Sequence, residues 1–332
     1  MKRGTSGLSQ IVGVYKEPGI SSHDVVNRCR SIFSERRVGH AGTLDPSAQG
    51  VLLVCIGPAT RLNPYLMAQD KKYRFKVCFG SATDTDDAQG LVIEQKPIPE
   101  ILFDSDYAKT EVQALVGKHL QIPPAYSAIK VNGERAYAAA RKGDAVRLEP
   151  REIEIFECSL RNIEAEGTRH LSWEIDARVS KGTYIRSIAR DLGIKLGTCA
   201  HVTRLERTAS GGVDMNQCAR LSQLEQAPES FLIDPVPLLG YKTLEIKERF
   251  VTLIKNGAAL EHNMFESMSE NTKDQTKAAT GILVGECDLE HDELFSIVAK
   301  NELLAIYGYD QVTHSLKPKC VFSTGVLRGS SY

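Results

Sequence analysis

A polar, glycine-punctuated loop at residues 36–46 holds the residue types best suited to chemistry in this sequence. The loop ends in Asp45 and Pro46, shortly before an apolar strand predicted at Val51–Ile56. Proline biases the residue before it towards an extended backbone, so we expect the Asp45 carboxylate to project away from the strand. A carboxylate in that place can act as a nucleophile or as a base. The alternative, that Asp45 caps the turn before the strand, fits the pattern equally well.

A second strand–loop–helix pattern ends in a candidate partner for Asp45. A strand predicted at Leu171–Val179 runs into the segment Ser180–Arg186, and a helix is predicted from about Ser187 to Leu196. Burial favours the protonated form of a carboxyl group, so an arginine opposite Asp45 would keep it ionised. We predict this orienting role for Arg186. The alternative is an ordinary exposed arginine at a helix start, which the helix dipole slightly disfavours.

Length and composition indicate a cytoplasmic globular protein of two domains. The chain has 332 residues, 42% of them hydrophobic and 25% charged, with a formal net charge of −1. Single hydrophobic cores usually stop growing below this length. The first apolar stretch, Ile11–Tyr15, is too short for a signal-peptide core or a membrane span, so no membrane association is expected. The eight cysteines form no CxxC pair, which disfavours a disulfide scaffold or a zinc site.

The remaining patterns indicate the elements that must position these loops. Ser21 or Ser22 can cap a helix whose apolar face includes Val25 and Cys29. Strict alternation over Lys72–Phe79 predicts a half-buried strand with Tyr73 on its apolar face. The basic segment Tyr126–Arg151 is typical of a surface insertion. Pro235–Tyr241 has the composition of a linker, and short apolar runs after it predict a β-rich module.

Six segments, in order along the chain, resemble the bacterial TruB family, whose members make pseudouridine at position 55 in the T arm of tRNA. The longest of them contains the Asp45 loop. The segments are Gly39–Leu52, Asp70–Phe75, Thr83–Gly90, Pro123–Lys130, Ser180–Arg186 and His201–Leu205. The segments lie between Gly39 and Leu205, and the resemblance as a whole covers about residues 11–210. So many matches in the family's order are more specific than any single motif.

The resemblance implies an α+β fold, a mixed and mostly antiparallel sheet with flanking helices. It implies a catalytic domain at residues 1–240, with an RNA-clamping insertion at about 121–152. Residues 241–332 are expected to form a small β-rich module similar to the PUA type of RNA-binding barrel. An acidic cluster in that module would repel phosphates, and we expect its face not to touch RNA. The cluster consists of Glu286, Asp288, Glu290, Asp292 and Glu293.

The resemblance also implies the reaction, in which the uracil of one nucleotide exchanges an N-glycosidic for a C-glycosidic bond. The exchange is an isomerisation, so no cofactor and no metal is expected. The Asp45 carboxylate is expected either to attack C1′ or to remove a proton from C2′. The expected partner is the tRNA T arm. No protein partner is implied, and the chain is expected to work as a monomer.

The resemblance also implies roles for further residues of the site. Tyr73 is expected to stack on the flipped uracil and to assist proton removal at C5. Tyr184, Ile185 and Leu205 would line the pocket, although ordinary packing accounts better for the last two. His40, between glycines, would wedge into the space left by the flipped base. Lys16 resembles the lysine of the family's N-terminal lysine–proline motif and is expected among the substrate-binding residues, although Glu17 separates it from Pro18. The expected RNA contacts in the basic insertion are Lys130, Arg135 and Arg141.

Two other classes of function remain as alternatives. The first is an RNA chaperone that folds tRNA without chemistry, and this function can coexist with the enzyme. The second is an aspartyl-phosphate or glycoside-hydrolysis site at Asp45. The sequence disfavours this second class of function, because no comparable loop supplies a second carboxylate and no GxxxxGK[ST] phosphate loop occurs.

Overall fold

The computed structural model describes residues 6–127, 129–131, 134–136, 148–168, 170–261, 264–265, 293–313 and 315–329. A mixed sheet of ten strands forms the centre of this part of the chain. The strands are β1 (Gln10–Lys16), β2 (Val38–His40), β3 (Gln49–Ile56), β4 (Lys71–Phe79), β7 (Gly117–Gln121), β10 (Arg151–Glu166), β11 (His170–Val179), β12 (Ala200–Ser210), β13 (Val213–Asp214) and β14 (Leu232–Ile233). Their main order in the sheet is β14-β1-β3-β12-β4-β11-β10-β7, while β2 pairs with β3 and β13 with β12. Every pairing in the sheet is antiparallel except that of β12 with β3.

Two small antiparallel sheets of two strands each lie outside the large sheet. They are β5 (Ser81–Thr83) with β6 (Val92–Gln95), and β8 (Lys130–Val131) with β9 (Glu134–Arg135). The α-helices of the described part are α1 (Ser22–Ile32), α2 (Asn63–Met67), α3 (Ser105–Gln113), α4 (Ile185–Lys195), α5 (Leu221–Gln226), α6 (Pro235–Leu239) and α7 (Val251–Lys255). Short 3-10 turns occupy Gly57–Leu62, Glu100–Phe103, Met215–Gln217 and Glu248–Phe250.

The strand β3 is apolar along its length because both of its faces are buried. Leu52, Val54 and Ile56 pack with Val25 and Cys29 of α1. Ser21 caps this helix by accepting a hydrogen bond from the Asp24 backbone, and the Asp24 side chain accepts from the Ser21 backbone in return. The opposite face of β3 joins a core formed with the C-terminal strands. The two faces together hold β3, and hence the end of the Asp45 loop, rigidly in place.

The alternating strand β4 builds the second core. Phe75, Val77 and Phe79 are buried, and they pack in a cluster with Ile188 and Leu192 of α4. Each such side chain stabilises the fold by about 1.5–3 kcal/mol through removal of apolar surface from water. Residues on the alternate positions of β4 are exposed or half-buried. The apolar face therefore anchors the helix that carries Arg186, and Tyr73 on the same face lines the cleft at the start of the strand.

A second sheet of four strands follows residue 241 and makes the C-terminal region β-rich. It is formed by β15 (Lys242–Glu245), β16 (Leu294–Ala299), β17 (Glu302–Asp310) and β18 (Ser315–Leu327). Val298, Ile306 and Phe322 from this sheet share a core with Leu53 of β3. The division of the chain at residue 240 stays a prediction, because the two sheets pack on each other.

The helix α3 begins at Ser105, where Asp104 accepts hydrogen bonds from the Asp106 and Tyr107 backbones. One segment differs from the sequence predictions. The segment predicted as a linker forms α6, whose Val236 and Leu239 are buried in the core. Its composition was misleading because proline is well accommodated in the first turn of a helix. No helix of the described residues is long and apolar enough to cross a membrane.

Candidate active site

The loop that carries Asp45 connects β2 to β3 and is fixed by polar contacts from α1 and β1. Ser22, in the first turn of α1, donates to the Leu44 carbonyl at 3.0 Å and accepts from the Leu44 amide at 2.9 Å. On the other side of Asp45, the Ala48 amide donates to the Asp45 carbonyl at 3.0 Å. The loop backbone is thus tied down on both sides of the carboxylate.

Lys16, at the end of β1, lies fully buried behind this loop. Its Nζ donates to the carbonyls of Ala48 at 2.6 Å, Glu17 at 3.1 Å and Pro46 at 3.2 Å. Burial lowers the pKa of Lys16 to about 8, while the nearby Asp45 acts in the opposite direction. The side chain does not line the cleft, so its place in the structure is that of a support for the loop.

Asp45 and Arg186 form a two-point ion pair across the cleft. The Arg186 Nε contacts one carboxylate oxygen at 2.9 Å, and Nη2 donates to the other at 3.2 Å. Nη1 donates to the Thr85 carbonyl, and Nη2 also donates to the Tyr126 carbonyl, each at 2.9 Å. Arg186 is only 5% exposed and stands in the first turn of α4. Four acceptors on three separate segments therefore fix its orientation.

Burial and charge act in opposite directions on Asp45. Burial raises the pKa of the Asp45 carboxyl, because the charged form loses hydration. The Arg186 guanidinium lowers that pKa, and the charge of Asp87 raises it further. Of the Asp45 side chain, 32% is still exposed at the cleft. The carboxylate is consequently held by a cation on one side and open to a ligand on the other.

The cleft in front of Asp45 is a cavity of about 280 Å³. Tyr73 of β4, Tyr184 and Ile185 at the start of α4, and Leu205 of β12 all contribute to its wall. Ile185 is also part of the core around α4, and Tyr73 and Leu205 pack partly against it. Burial raises the pKa of the Tyr184 hydroxyl. Two aromatic rings and two aliphatic side chains next to one carboxylate suit a flat, mostly apolar ring as ligand.

Some of the predicted site residues lie elsewhere. His40 lies on β2, outside the cavity wall; its pKa is lowered by burial first and by the charge of Arg207 second. The side chains of Lys130 and Arg135, the whole of Arg141, and the acidic residues 286–292 lie outside the described residues. The structure thus brings together Asp45, Arg186, Tyr73, Tyr184, Ile185 and Leu205.

Sequence reasoning missed two buried cations at the cavity wall. Arg207 of β12 is 1% exposed, and Lys71 at the start of β4 is also buried. Lys71 donates to the carbonyls of Gln69 at 2.5 Å and Met67 at 2.8 Å, after the end of α2. Burial lowers the pKa of Lys71 to about 8. Lys71 lies in the segment Asp70–Phe75 that resembles the TruB family, and this was its one sequence signal. Arg207 has none, since it stands in a charged stretch typical of a solvated strand face.

The fold is that of the pseudouridine synthases. Two solved structures align with 94% of this chain and 84% of their own chains. One is an H/ACA RNP bound to a substrate RNA that contains 2′-deoxyuridine, with a TM-score of 0.65 and 21% identity. The other is a Cbf5–Nop10–Gar1 complex, with a TM-score of 0.66 and 22% identity. At this identity the likeness establishes the fold.

Sequence comparisons give the family. Residues 30–185 match the N-terminal domain of the TruB family pseudouridylate synthases, and residues 186–232 match the C-terminal domain of tRNA pseudouridylate synthase B. A tRNA pseudouridine synthase B from Oceanobacillus iheyensis is 34% identical over 94% of this chain and 97% of its own. One from Caldanaerobacter subterraneus is 39% identical over 74% and 84% respectively. The chain belongs to the TruB family, and it is an isomerase that forms pseudouridine in tRNA.

Proposed function

We propose that this enzyme isomerises the uridine at position 55 in the T arm of tRNA, with Asp45 as the essential catalytic group. The observation that carries the proposal is the carboxylate of Asp45, paired at two points with Arg186 and open to the cavity. The names of the relatives support tRNA as the substrate. The site that the TruB resemblance implies within the tRNA is the T arm.

Asp45 would have one of two catalytic roles, and each of them needs the ionised form of its carboxyl group. In the first, the carboxylate attacks C1′ and uracil leaves with the electrons of the C1′–N1 bond. In the second, the carboxylate takes a proton from C2′ before that bond breaks. In the first route the uracil turns and C5 displaces the Asp45 carboxylate from C1′, which breaks the C1′–O ester bond. In the second route C5 adds to C1′ while C2′ regains its proton from Asp45. In both routes the proton then leaves C5 and N1 is protonated. Atoms and charge balance within one nucleotide, with protons exchanged through the site.

Base flipping explains how the target reaches the carboxylate. A base stacked inside folded RNA cannot approach a residue on the wall of a cavity, so it must be extruded. Tyr73 and Tyr184 offer aromatic surfaces on which a flipped uracil can stack. His40, on β2 beside the loop, would occupy the place of the flipped base. Tyr73 would in addition assist removal of the C5 proton.

The RNA clamp would come from the basic insertion. Lys130, Arg135 and Arg141 are proposed to contact phosphates there, since lysine and arginine supply most sequence-independent affinity for RNA. Each lost contact should reduce the slope of log Kd against log salt by about 0.7–0.9. We propose that the chain acts in the cytoplasm as a monomer and without a protein partner.

The experiment that tests the proposed position is chemical mapping of pseudouridine in a complete tRNA transcript. Modification is expected at uridine 55, and it should disappear from a transcript with cytidine at that position. A transcript with cytidine at another T-loop uridine is the matched control, and its position 55 should still be modified. Modification that persists at other uridines of the position-55 variant would contradict the proposed site.

A further inference from the structure

Arg207 contacts both ends of the loop that carries Asp45. Its Nε donates to the Val51 carbonyl at 2.7 Å, just after the loop. Its Nη2 donates to the Gly42 carbonyl at 3.1 Å, and its Nη1 to the Thr43 carbonyl at 3.4 Å, just before Asp45. One planar guanidinium thus joins the chain entering the loop to the chain leaving it.

The two glycines that bracket the loop are packed against the same arginine. Gly42 has φ +104° and Gly50 has φ +109°. A Cβ at Gly50 would lie 2.2 Å from the Arg207 carbonyl oxygen, and one at Gly42 would lie 3.6 Å from Arg207 Nη1. Gly50 also pairs with Arg207 in the parallel contact of β3 with β12. The base of the loop is therefore built around this residue.

The partners of Arg207 are unusual for a buried cation. The side chain is 1% exposed, and no carboxylate of the described residues forms an ion pair with it. All three of its hydrogen bonds go to neutral main-chain carbonyls. Burial of a charge is costly unless its hydrogen-bonding groups are satisfied. The carbonyls of Gly42, Thr43 and Val51 must therefore keep their positions to accept the hydrogen bonds of the Arg207 guanidinium.

We propose that Arg207 is a positioning residue, which closes the base of the Asp45 loop and so fixes the Asp45 carboxylate opposite Arg186. The proposal rests on the proposed catalytic role of Asp45. By fixing the loop, Arg207 sets the position of the Asp45 carboxylate in the step that breaks the C1′–N1 bond. A displacement of a catalytic group by about 1 Å can lower the rate by about 10²-fold. Lysine should not replace Arg207, because the three hydrogen bonds come from three different nitrogens of the planar guanidinium and lysine has only one.

The test compares Arg207→Lys, which keeps the charge, with Arg207→Gln, which loses it. Arg328→Lys is the matched control, because Arg328 contacts Asp234 at 3.0 Å, outside the cavity wall. The quantities to measure are the melting temperature, the Kd for a T-arm RNA and the single-turnover rate constant at saturating enzyme. The rate constant is measured at a temperature at which circular dichroism shows each variant to be folded.

The expected result for Arg207→Lys is a rate constant about 10²-fold lower, with the Kd for RNA changed by less than about 3-fold. Arg207→Gln should fall at least as far. Arg328→Lys should lower the melting temperature and leave the rate constant unchanged. A role of Arg207 in folding alone would lower the melting temperature without changing the rate constant of the folded protein. That outcome, or failure of both variants to fold, would overturn the proposal.

A parallel measurement on Asp45→Asn separates this inference from the proposed function. If Asp45→Asn keeps its activity, the catalytic role of Asp45 fails, whatever the Arg207 variants do. If Asp45→Asn is inactive while both Arg207 variants react at the wild-type rate, only the positioning role fails.

Discussion

The guanidinium of Arg186 contacts both oxygens of the Asp45 carboxylate, although 141 residues separate the two along the chain. The contact joins the loop after β2 to the first turn of α4. Arg186 is held from behind by the carbonyls of Thr85 and Tyr126, so it cannot follow the carboxylate if Asp45 moves. The pair therefore sets both the place and the ionisation of the group to which we assign the chemistry.

The first prediction concerns the pH dependence of the reaction. Burial raises the pKa of Asp45 and Arg186 lowers it, so Arg186→Gln should raise this pKa further. In the proposed mechanism the ionised form of Asp45 is the active one, so the acid limb of kcat/KM should move to higher pH in the variant. The loss of rate should be greater at pH 6 than at pH 8. Arg161→Gln, which removes an ion pair with Asp176, is the control and should keep the wild-type profile.

The second prediction concerns stability at alkaline pH. The pKa of Lys16 is about 8 in the folded protein against 10.5 for an ordinary lysine. Between these values the unfolded chain binds more protons, so the contribution of Lys16 to stability should rise with pH. The difference in free energy of unfolding, wild type minus Lys16→Met, should increase from pH 8 to pH 10.5 in urea titrations. A difference that stays constant or decreases would contradict the burial of a charged Lys16.

The third prediction concerns Tyr73. If its hydroxyl assists proton removal at C5, Tyr73→Phe should keep RNA affinity and lower the rate of pseudouridine formation by about 10²-fold. Tyr65→Phe is the control, because Tyr65 packs against Tyr241 and does not line the cavity. A Tyr73→Phe variant with the wild-type rate would limit Tyr73 to stacking.

The fourth prediction concerns Gly50. Its φ of +109° costs alanine roughly 1–3 kcal/mol of backbone strain, and the 2.2 Å approach to the Arg207 carbonyl adds a clash. Gly117 has φ +125° and no atom within 4 Å of an added Cβ, so Gly117→Ala incurs the strain alone. Gly50→Ala should therefore lower the free energy of unfolding more than Gly117→Ala does. Equal losses would show that the approach of β3 to Arg207 is looser than described.

The sequence was sufficient for many of the local elements and for the position of part of the cleft wall. Apolar runs and alternation predicted β3 and β4, and Ser21 was among the predicted helix caps. The TruB resemblance named six residues that the structure gathers around one cavity. These predictions succeeded where a side chain's environment follows from its neighbours in sequence or from a long family motif.

What the sequence could not predict depends on contacts between distant segments. Arg207 stands in a polar stretch, and only the pairing of β12 with β3 and β4 shows that it is buried. Lys16 was expected to bind substrate, but the carbonyls of Pro46 and Ala48 draw its ammonium behind the loop. A charged residue is predicted from sequence to be exposed. The main-chain carbonyls that form hydrogen bonds with it when it is buried leave no pattern in the sequence.

The most direct test of the catalytic role of Asp45 is tritium release from C5-labelled uridine in a T-arm transcript. Wild-type protein should release tritium, and Asp45→Asn should release none while it binds the RNA with similar affinity. Asp176→Asn is the matched control, because Asp176 pairs with Arg74 outside the Asp45 cavity, and it should still release tritium. Release by Asp45→Asn at the wild-type rate, or tight binding without release by the wild type, would contradict the account.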